Sequence, residues 1–200
     1  MNADKTQSFR LILASGSPRR RELLGQMGYS FEIIVPDVDE DVSGHARDVV
    51  GILSRRKAQA VADMQDSGVI IASDTLVSLG GAALGKPHDA ADAHRMLRML
   101  SGQTHEVFTG VTIIDAASKK QQTQVVRTGV IFRELSDEEI DAYIATGEPM
   151  DKAGAYAIQG GAHGFVEGFE GSYENVIGFP VDEIREMLRI SAADTRKTYS

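Results

Sequence analysis

Apolar and polar positions along the chain follow two rhythms, and each switch between them marks a predicted element. Phe9 to Ala14 is mostly apolar and rich in strand formers, and it ends at Ser15-Gly16-Ser17-Pro18. A serine before a proline is the signature of an N-cap followed by the first helical position, so the pattern predicts a strand, a small-residue turn and a helix to about Met27. Tyr29 to Val35 reads as a second strand and Pro36 to Asp41 as an acidic loop. From about Ala46 to Met64, Val49, Val50, Leu53, Val61 and Met64 recur at near-helical spacing and predict a long helix, with Arg55, Arg56 and Lys57 partly off its apolar stripe.

Gly68 to Ala72 is a continuous apolar run, expected to be a buried strand, and Ser73-Asp74-Thr75 is expected to interrupt it before Leu76 to Leu79 resumes. Gly80-Gly81 predicts a hairpin turn, Gly85-Lys86-Pro87 the end of the return strand, and Asp89 to Leu100 an amphipathic helix. Glu106 to Ile114 and Gln124 to Phe132 then pair as a hairpin, and Ser136-Asp137-Glu138-Glu139 is a capping box opening a helix to about Thr146. Residues 147 to 180 are glycine-rich and read as irregular. A last helix is expected from about Val181 to Ile190, followed by a polar, frayed tail. Hairpins alternating with helical crossovers predict an α/β protein with a mixed sheet.

Composition narrows the picture. Two hundred residues with 42% hydrophobic content suit one domain, or two closely joined lobes. No run of eighteen apolar residues and no leader-like segment stands in the sequence, so a cytoplasmic protein without a membrane span is expected. The absence of cysteine excludes disulfides, thiol nucleophiles and cysteine-ligated zinc. A formal charge of −8 argues against a nucleic-acid binder held by phosphate attraction, but Arg10 to Arg21 and Arg55 to Lys57 concentrate positive charge enough for a small anion.

The candidate chemistry begins at the first turn. The first N–H groups of a helix lack intrahelical partners and carry partial positive charge, while Gly16 admits a ligand to the backbone and Ser15 and Ser17 add hydroxyls. Arg19, Arg20 and Arg21 are unfavourable beside a helix N-terminus unless an anion compensates them. The alternative is an ordinary capped connection with solvated arginines. Asp74, set inside an apolar run, has to be solvated, paired or metal-bound, or else sits at a strand bulge. Asp37, Asp39, Glu40 and Asp41 could hold Mg²⁺ or be a solvated turn. Lys57 and Lys86 read as surface charges until context says otherwise. The segment from Gly147 to Gly160 suits either backbone approach to a ligand or a structural loop. The histidines show no metal-ligand spacing, and there is no Walker A loop, nucleophile elbow or dinucleotide glycine triad.

Taken together, Leu13-Ala14-Ser15-Gly16-Ser17-Pro18-Arg19-Arg20, Val38-Asp39-Glu40, Lys57-Ala58, Ser73-Asp74-Thr75, Gly85-Lys86-Pro87, Ser101-Gly102, and Gly147-Glu148-Pro149 through Gln159-Gly160 resemble the Maf family of nucleoside triphosphate pyrophosphatases, in order, over roughly residues 9 to 190. The resemblance implies a single Maf-like domain over residues 1–190, with residues 191–200 as a polar C-terminal tail. It implies an elongated mixed sheet flanked by helices, two lobes around a cleft, a fold similar to that of the inosine triphosphate pyrophosphatases, and a homodimer. The implied reaction is metal-dependent hydrolysis, with Mg²⁺ or Mn²⁺, of a nucleoside triphosphate between its α and β phosphates. By resemblance Asp74 is the proton acceptor, Glu40 binds metal with Asp74 or assists it, and Ser15, Ser17, Arg20, Lys57 and Lys86 hold the phosphates.

Arg19, Thr75 and Gln159 match the specificity positions of the subgroup acting on dTTP and UTP, whereas a sister subgroup acting on 7-methyl-GTP carries Trp, Gln and Glu there. A glutamine amide has one donor and one acceptor edge, matching N3–H and O4 of uracil or thymine, while an ionised glutamate suits guanine. Flipped, the same amide would match cytosine. The alternatives are a pyrophosphatase of different base specificity and a nucleotide-binding regulator of cell division or septum formation without significant hydrolysis.

Overall fold

The computed structural model describes residue 7 and residues 9–198. Next to one edge of its sheet, β1 (Leu11–Leu13) lies parallel to the edge strand β2 (Glu32–Ile33) on one side and to the first part of β3 (Val69–Leu79) on the other. A strand covered on both faces needs no polar positions, which is why Leu11-Ile12-Leu13 and Val69-Ile70-Ile71 read as unbroken apolar runs. Leu11, Leu13, Val69 and Ile71 point to one face, against Leu24 of α1 (Pro18–Gln26) and Ile184, Met187 and Leu188 of α6 (Val181–Thr198). The alternate residues Ile12, Ala14, Ile70 and Ala72 point to the other, against Ala58, Val61 and Ala62 of α2 (Ala46–Ala62).

The remaining strands run antiparallel. β4 (Ala82–Leu84) returns along the end of β3 through the two-residue Gly80-Gly81 turn, β5 (Thr104–Asp115) pairs with β3, β6 (Gln121–Phe132) with β5, and β7 (Val166–Glu170) with β6. The result is a seven-stranded mixed sheet of order β2-β1-β3-β5-β6-β7, with β4 beside β3. A second apolar core lies at the other end of the sheet. There α3 (Ala90–Leu100), α4 (Asp137–Ile144) and the segment around Tyr156 to Phe165 cover Val77, Val107, Val130 and Phe132. The chain is thus α/β with a helix-flanked mixed sheet, as expected, and no described helix is long and apolar enough to cross a membrane.

Several local expectations change. Ser73-Asp74-Thr75 does not interrupt its strand: β3 runs unbroken, with Asp74 in register opposite Gly110. The second strand shrinks to Glu32–Ile33, because at the sheet edge only one neighbour is available to pair with it. Residues 147–180, read as irregular, contain β7 and the short helix α5 (Tyr173–Ile177). The last helix does not end near Ile190 but continues to Thr198; residues 199–200 lie outside the described residues. Asp89 and Ser136 do cap α3 and α4, and the Ser136–Glu139 capping box is complete.

One close approach sets the spacing between α2 and the sheet. A Cβ on Gly110 would lie 2.3 Å from Val50 O, so the helix backbone rests directly on β5. Gly110→Ala is expected to push helix and sheet apart and to cost about 3 kcal/mol, at the upper end for overpacking, read as a lower denaturation midpoint in urea. An unchanged midpoint would show that the contact is slack.

His105, on β5, is 1% exposed. Its Nε2 lies 2.8 Å from Tyr156 Oη, and Nδ1 has no partner among the described residues. Burial pushes its pKa down from 6.5 to about 4. Because the unfolded chain takes up this proton first, folding stability falls as pH drops from 6.5 towards 4. Melting temperatures of the protein and of His105→Gln, compared across that interval, should diverge from their pH 7 difference, the variant losing less on acidification. Parallel curves would exclude His105 as a source of acid lability.

Candidate active site

The site is a gap in the sheet. β5 covers one edge of β3 almost throughout, but on the other edge β1 reaches only Ile71, where Ala14 N donates to Ile71 O at 2.8 Å, and β4 starts only at Val77. β1 stops because Ser17-Pro18 turns the chain into α1, and β4 stops because Gly85-Lys86-Pro87 follows it. Between these ends, Ser73 to Leu76 lack a strand neighbour on that edge. A cleft of about 680 Å³ opens there, and it is lined by all ten residues to which the family resemblance gives a role: Ser15, Ser17, Arg19, Arg20, Glu40, Lys57, Asp74, Thr75, Lys86 and Gln159.

Lys57 organises the acidic side. Its Nζ lies 2.6 Å from Asp74 Oδ1 and 2.7 Å from Glu40 Oε1, and its side chain is only 12% exposed. The lysine reaches in from α2, Asp74 comes from β3, and Glu40 is drawn in from the acidic loop. Burial alone would raise the Glu40 pKa, but the Lys57 hydrogen bond and the charges of Lys57, Lys86 and Arg20 outweigh it, so the net shift is downward. Asp74 Oδ2 has no hydrogen-bond partner among the described residues. Of the loop's four carboxylates, Glu40 alone lines the cleft, whereas Asp39 Oδ1 accepts from Asp41 N at 2.9 Å.

Arg20 bridges the gap in the strand edge. Its guanidinium donates to Ser73 O at 2.7 Å, Gly178 O at 3.1 Å, Thr75 Oγ1 at 3.3 Å and Ser15 Oγ at 3.4 Å. Burial lowers its pKa from the ordinary arginine value, opposed by the charges of Asp74 and Glu40. Most of its donors therefore engage the scaffold. Ser17 takes the N-cap position as expected, yet its side chain makes no capping hydrogen bond. Its hydroxyl, together with Arg19, Lys86 and Gln159, makes no hydrogen bond or salt bridge among the described residues and is available to a ligand, although Lys86 acts on Glu40 and Arg19 on Asp151 at longer range.

Thr75 is part of a directed hydrogen-bond chain. Thr109 Oγ1 donates to Asn175 O at 3.0 Å, so its single proton is engaged there, and at 3.0 Å from Thr75 Oγ1 it has to accept. Thr75 consequently donates to Thr109 and accepts from Arg20, which leaves one lone pair on its oxygen. Thr109 was invisible in the sequence, where it is one threonine in an apolar strand. The cleft wall also includes Tyr156, Asp151 and Lys152, the last two an ion pair, all from a segment flagged by its glycines without roles for these residues.

The described residues contain no group of three or more His, Cys, Asp or Glu side chains able to hold a metal. Glu40 and Asp74 converge on one ammonium, so a divalent ion held by them would complete its shell with ligand oxygens and water, the usual arrangement for Mg²⁺ at phosphate sites. The donor set fits such an ion.

Comparison with known proteins gives the chain's relatives. A protein of Pelotomaculum thermopropionicum named dTTP/UTP pyrophosphatase is 49% identical over 181 residues, covering 90% of this chain and 95% of its own length. One of the same name from Geotalea uraniireducens is 52% identical over 181 residues, covering 90% and 93%. A third, from Myxococcus xanthus, is 49% identical over 190 residues and covers 94% of each chain. The family model described as Maf-like protein matches residues 10–191, and with these relatives it establishes that the chain belongs to the Maf-like family.

Proposed function

We propose that the protein is a nucleoside triphosphate pyrophosphatase that hydrolyses dTTP and UTP to the monophosphate and pyrophosphate. The observation that carries this reading is the convergence of an acidic pair on Lys57 at the open edge of β3, between unpaired cationic groups on one side and an unpaired amide on the other. Relatives of about half identity carry the name of that activity.

The triphosphate lies along the turn before α1, where Ser15, Ser17 and the first N–H groups of the helix meet its oxygens, aided by Lys86, while Arg19 helps to select the nucleotide with Thr75 and Gln159. Asp74 Oδ2 orients a water and takes its proton as the water oxygen bonds to the α phosphorus. The α–β bridging bond breaks, and pyrophosphate leaves with the bond electrons. Lys57, Lys86 and Arg20 lower the cost of charge gathering on it, since phosphoryl transfer depends on positioning and charge neutralisation. Glu40 and Asp74 would hold a divalent Mg²⁺ or Mn²⁺, which supplies Lewis acidity and neutralisation of phosphate charge when bound. Gln159 reads N3–H and O4 of the base, and Thr75 offers an acceptor. A glutamine rather than a glutamate disfavours 7-methyl-GTP, and the open Asp74 Oδ2 beside Lys57 favours hydrolysis over a purely regulatory role. A cytoplasmic homodimer belongs to the same reading, through the family resemblance.

A panel of triphosphates assayed for pyrophosphate release with Mg²⁺ or Mn²⁺ should give dTTP and UTP the highest kcat/KM, with CTP and 7-methyl-GTP as controls; chelation with EDTA should abolish turnover. No turnover, or release of orthophosphate, sinks the proposal. Asp74→Asn should lower kcat by about a thousandfold, within the range for loss of a general base, while the Kd for a non-hydrolysable UTP analogue changes only a few-fold. Activity retained in this variant would remove the proton-accepting role.

A further inference from the structure

Gln159 stands at the tip of a short turn whose two ends are gripped by one pair of side chains. Gly160 N donates to Ala157 O at 3.0 Å and closes the turn. At one end Ala157 N donates to Tyr143 Oη at 3.0 Å, and at the other Gly161 N donates to Glu148 Oε2 at 2.8 Å. Burial raises the Tyr143 pKa and the neighbouring Glu148 carboxylate raises it further, so the groups gripping the two ends lie close together. Neither side chain lines the cleft.

The fit beneath the turn is tight. A Cβ on Gly160 would lie 1.8 Å from Glu148 Oε1, and one on Gly161 would lie 3.1 Å from the Tyr143 ring. The carboxylate thus fills the space that a side chain at position 160 would need. The pair is anchored in turn: Tyr143 is 5% exposed and packs edge-on against Phe165 at 5.3 Å between ring centroids, and Glu148 N donates to Thr146 Oγ1 at 3.2 Å. Gln159, by contrast, is exposed and its amide has no partner among the described residues. The turn therefore fixes the position of its Cα and the direction of its Cα–Cβ bond, with no contact of the side chain adding to that.

We propose that Glu148 and Tyr143 are positioning residues for nucleobase selection: by clamping Ala157 and Gly161 they aim the Gln159 amide, and they do so without touching substrate. The inference rests on Gln159 reading the base. An amide discriminates through the direction of its donor and acceptor edges, so a turn free to pivot admits wrong bases more readily while leaving the phosphate-side groups unchanged.

The test compares kcat and KM for UTP and GTP in the unaltered protein, Glu148→Ala, Tyr143→Phe, Gln159→Ala and the double variant Glu148→Ala with Gln159→Ala. Glu148→Ala should shrink the UTP-to-GTP ratio of kcat/KM by about tenfold, the worth of one charge-assisted hydrogen bond, through KM for UTP and with kcat within about twofold. Tyr143→Phe, which keeps the ring packing, should move the ratio the same way and carries the comparison if Glu148→Ala fails to fold. In the double variant the ratio should equal that of Gln159→Ala alone, because both changes remove one function. Equal losses for UTP and GTP, or effects that multiply in the double variant, overturn the proposal. If Gln159→Ala itself leaves the ratio unchanged, base reading by Gln159 fails and the proposal with it. If Gln159→Ala shifts the ratio but Glu148→Ala and Tyr143→Phe do not, the proposal alone fails.

Discussion

The contact of Lys57 with Asp74 and Glu40 is the interaction on which the site depends. Two carboxylates brought to one place repel each other, and Asp74, with a side chain 11% exposed, is largely cut off from water. A single ammonium 2.6 Å and 2.7 Å from them resolves both difficulties. For the lysine to reach, α2 has to lie close on the sheet, and Gly110 permits that by leaving no Cβ under Val50 O. The helix that forms one of the apolar cores thereby also delivers the central cation.

A polar group inside a sheet is tolerated when the ladder around it is incomplete. β3 carries Ser73, Asp74 and Thr75 where β1 has already turned away and β4 has not begun, and Arg20 donates to the Ser73 carbonyl left on that edge. The same arginine ties the first turn to Gly178 and Thr75. This divides the cationic groups by task. Arg20 braces the walls, whereas Arg19 and Lys86 keep their donors for what enters the cleft. On the opposite wall the Tyr143–Glu148 pair plays the corresponding bracing part beneath Gln159.

How much of this was legible in the sequence varied with the range of the interaction. Caps were legible because they are local: Asp89, Ser136 and Glu139 act within one helical turn. The apolar runs of β1 and β3 were legible because burial on both faces leaves no alternation. β2 was overextended and β7 overlooked because edge strands are defined by a partner, and β7 with its Val166-Glu167-Gly168-Phe169-Glu170 pattern pairs only with β6. Asp74 was expected to break its strand, since the sequence does not reveal that β5 continues beside it through Gly110.

By itself the sequence determined the α/β class, the capped helices and the residue types of the site, because periodicity, capping and motif chemistry act over a few neighbouring positions. Only the tertiary structure decided which of those groups are engaged with the scaffold and which face the cleft. Ser17 does not cap, Arg20 holds backbone carbonyls, Thr75 gives its proton to Thr109 and is left with an acceptor only, and Glu148 lies under Gln159. Each of these depends on partners elsewhere in the fold, and hydrogen-bond direction is set by the partner as much as by the residue.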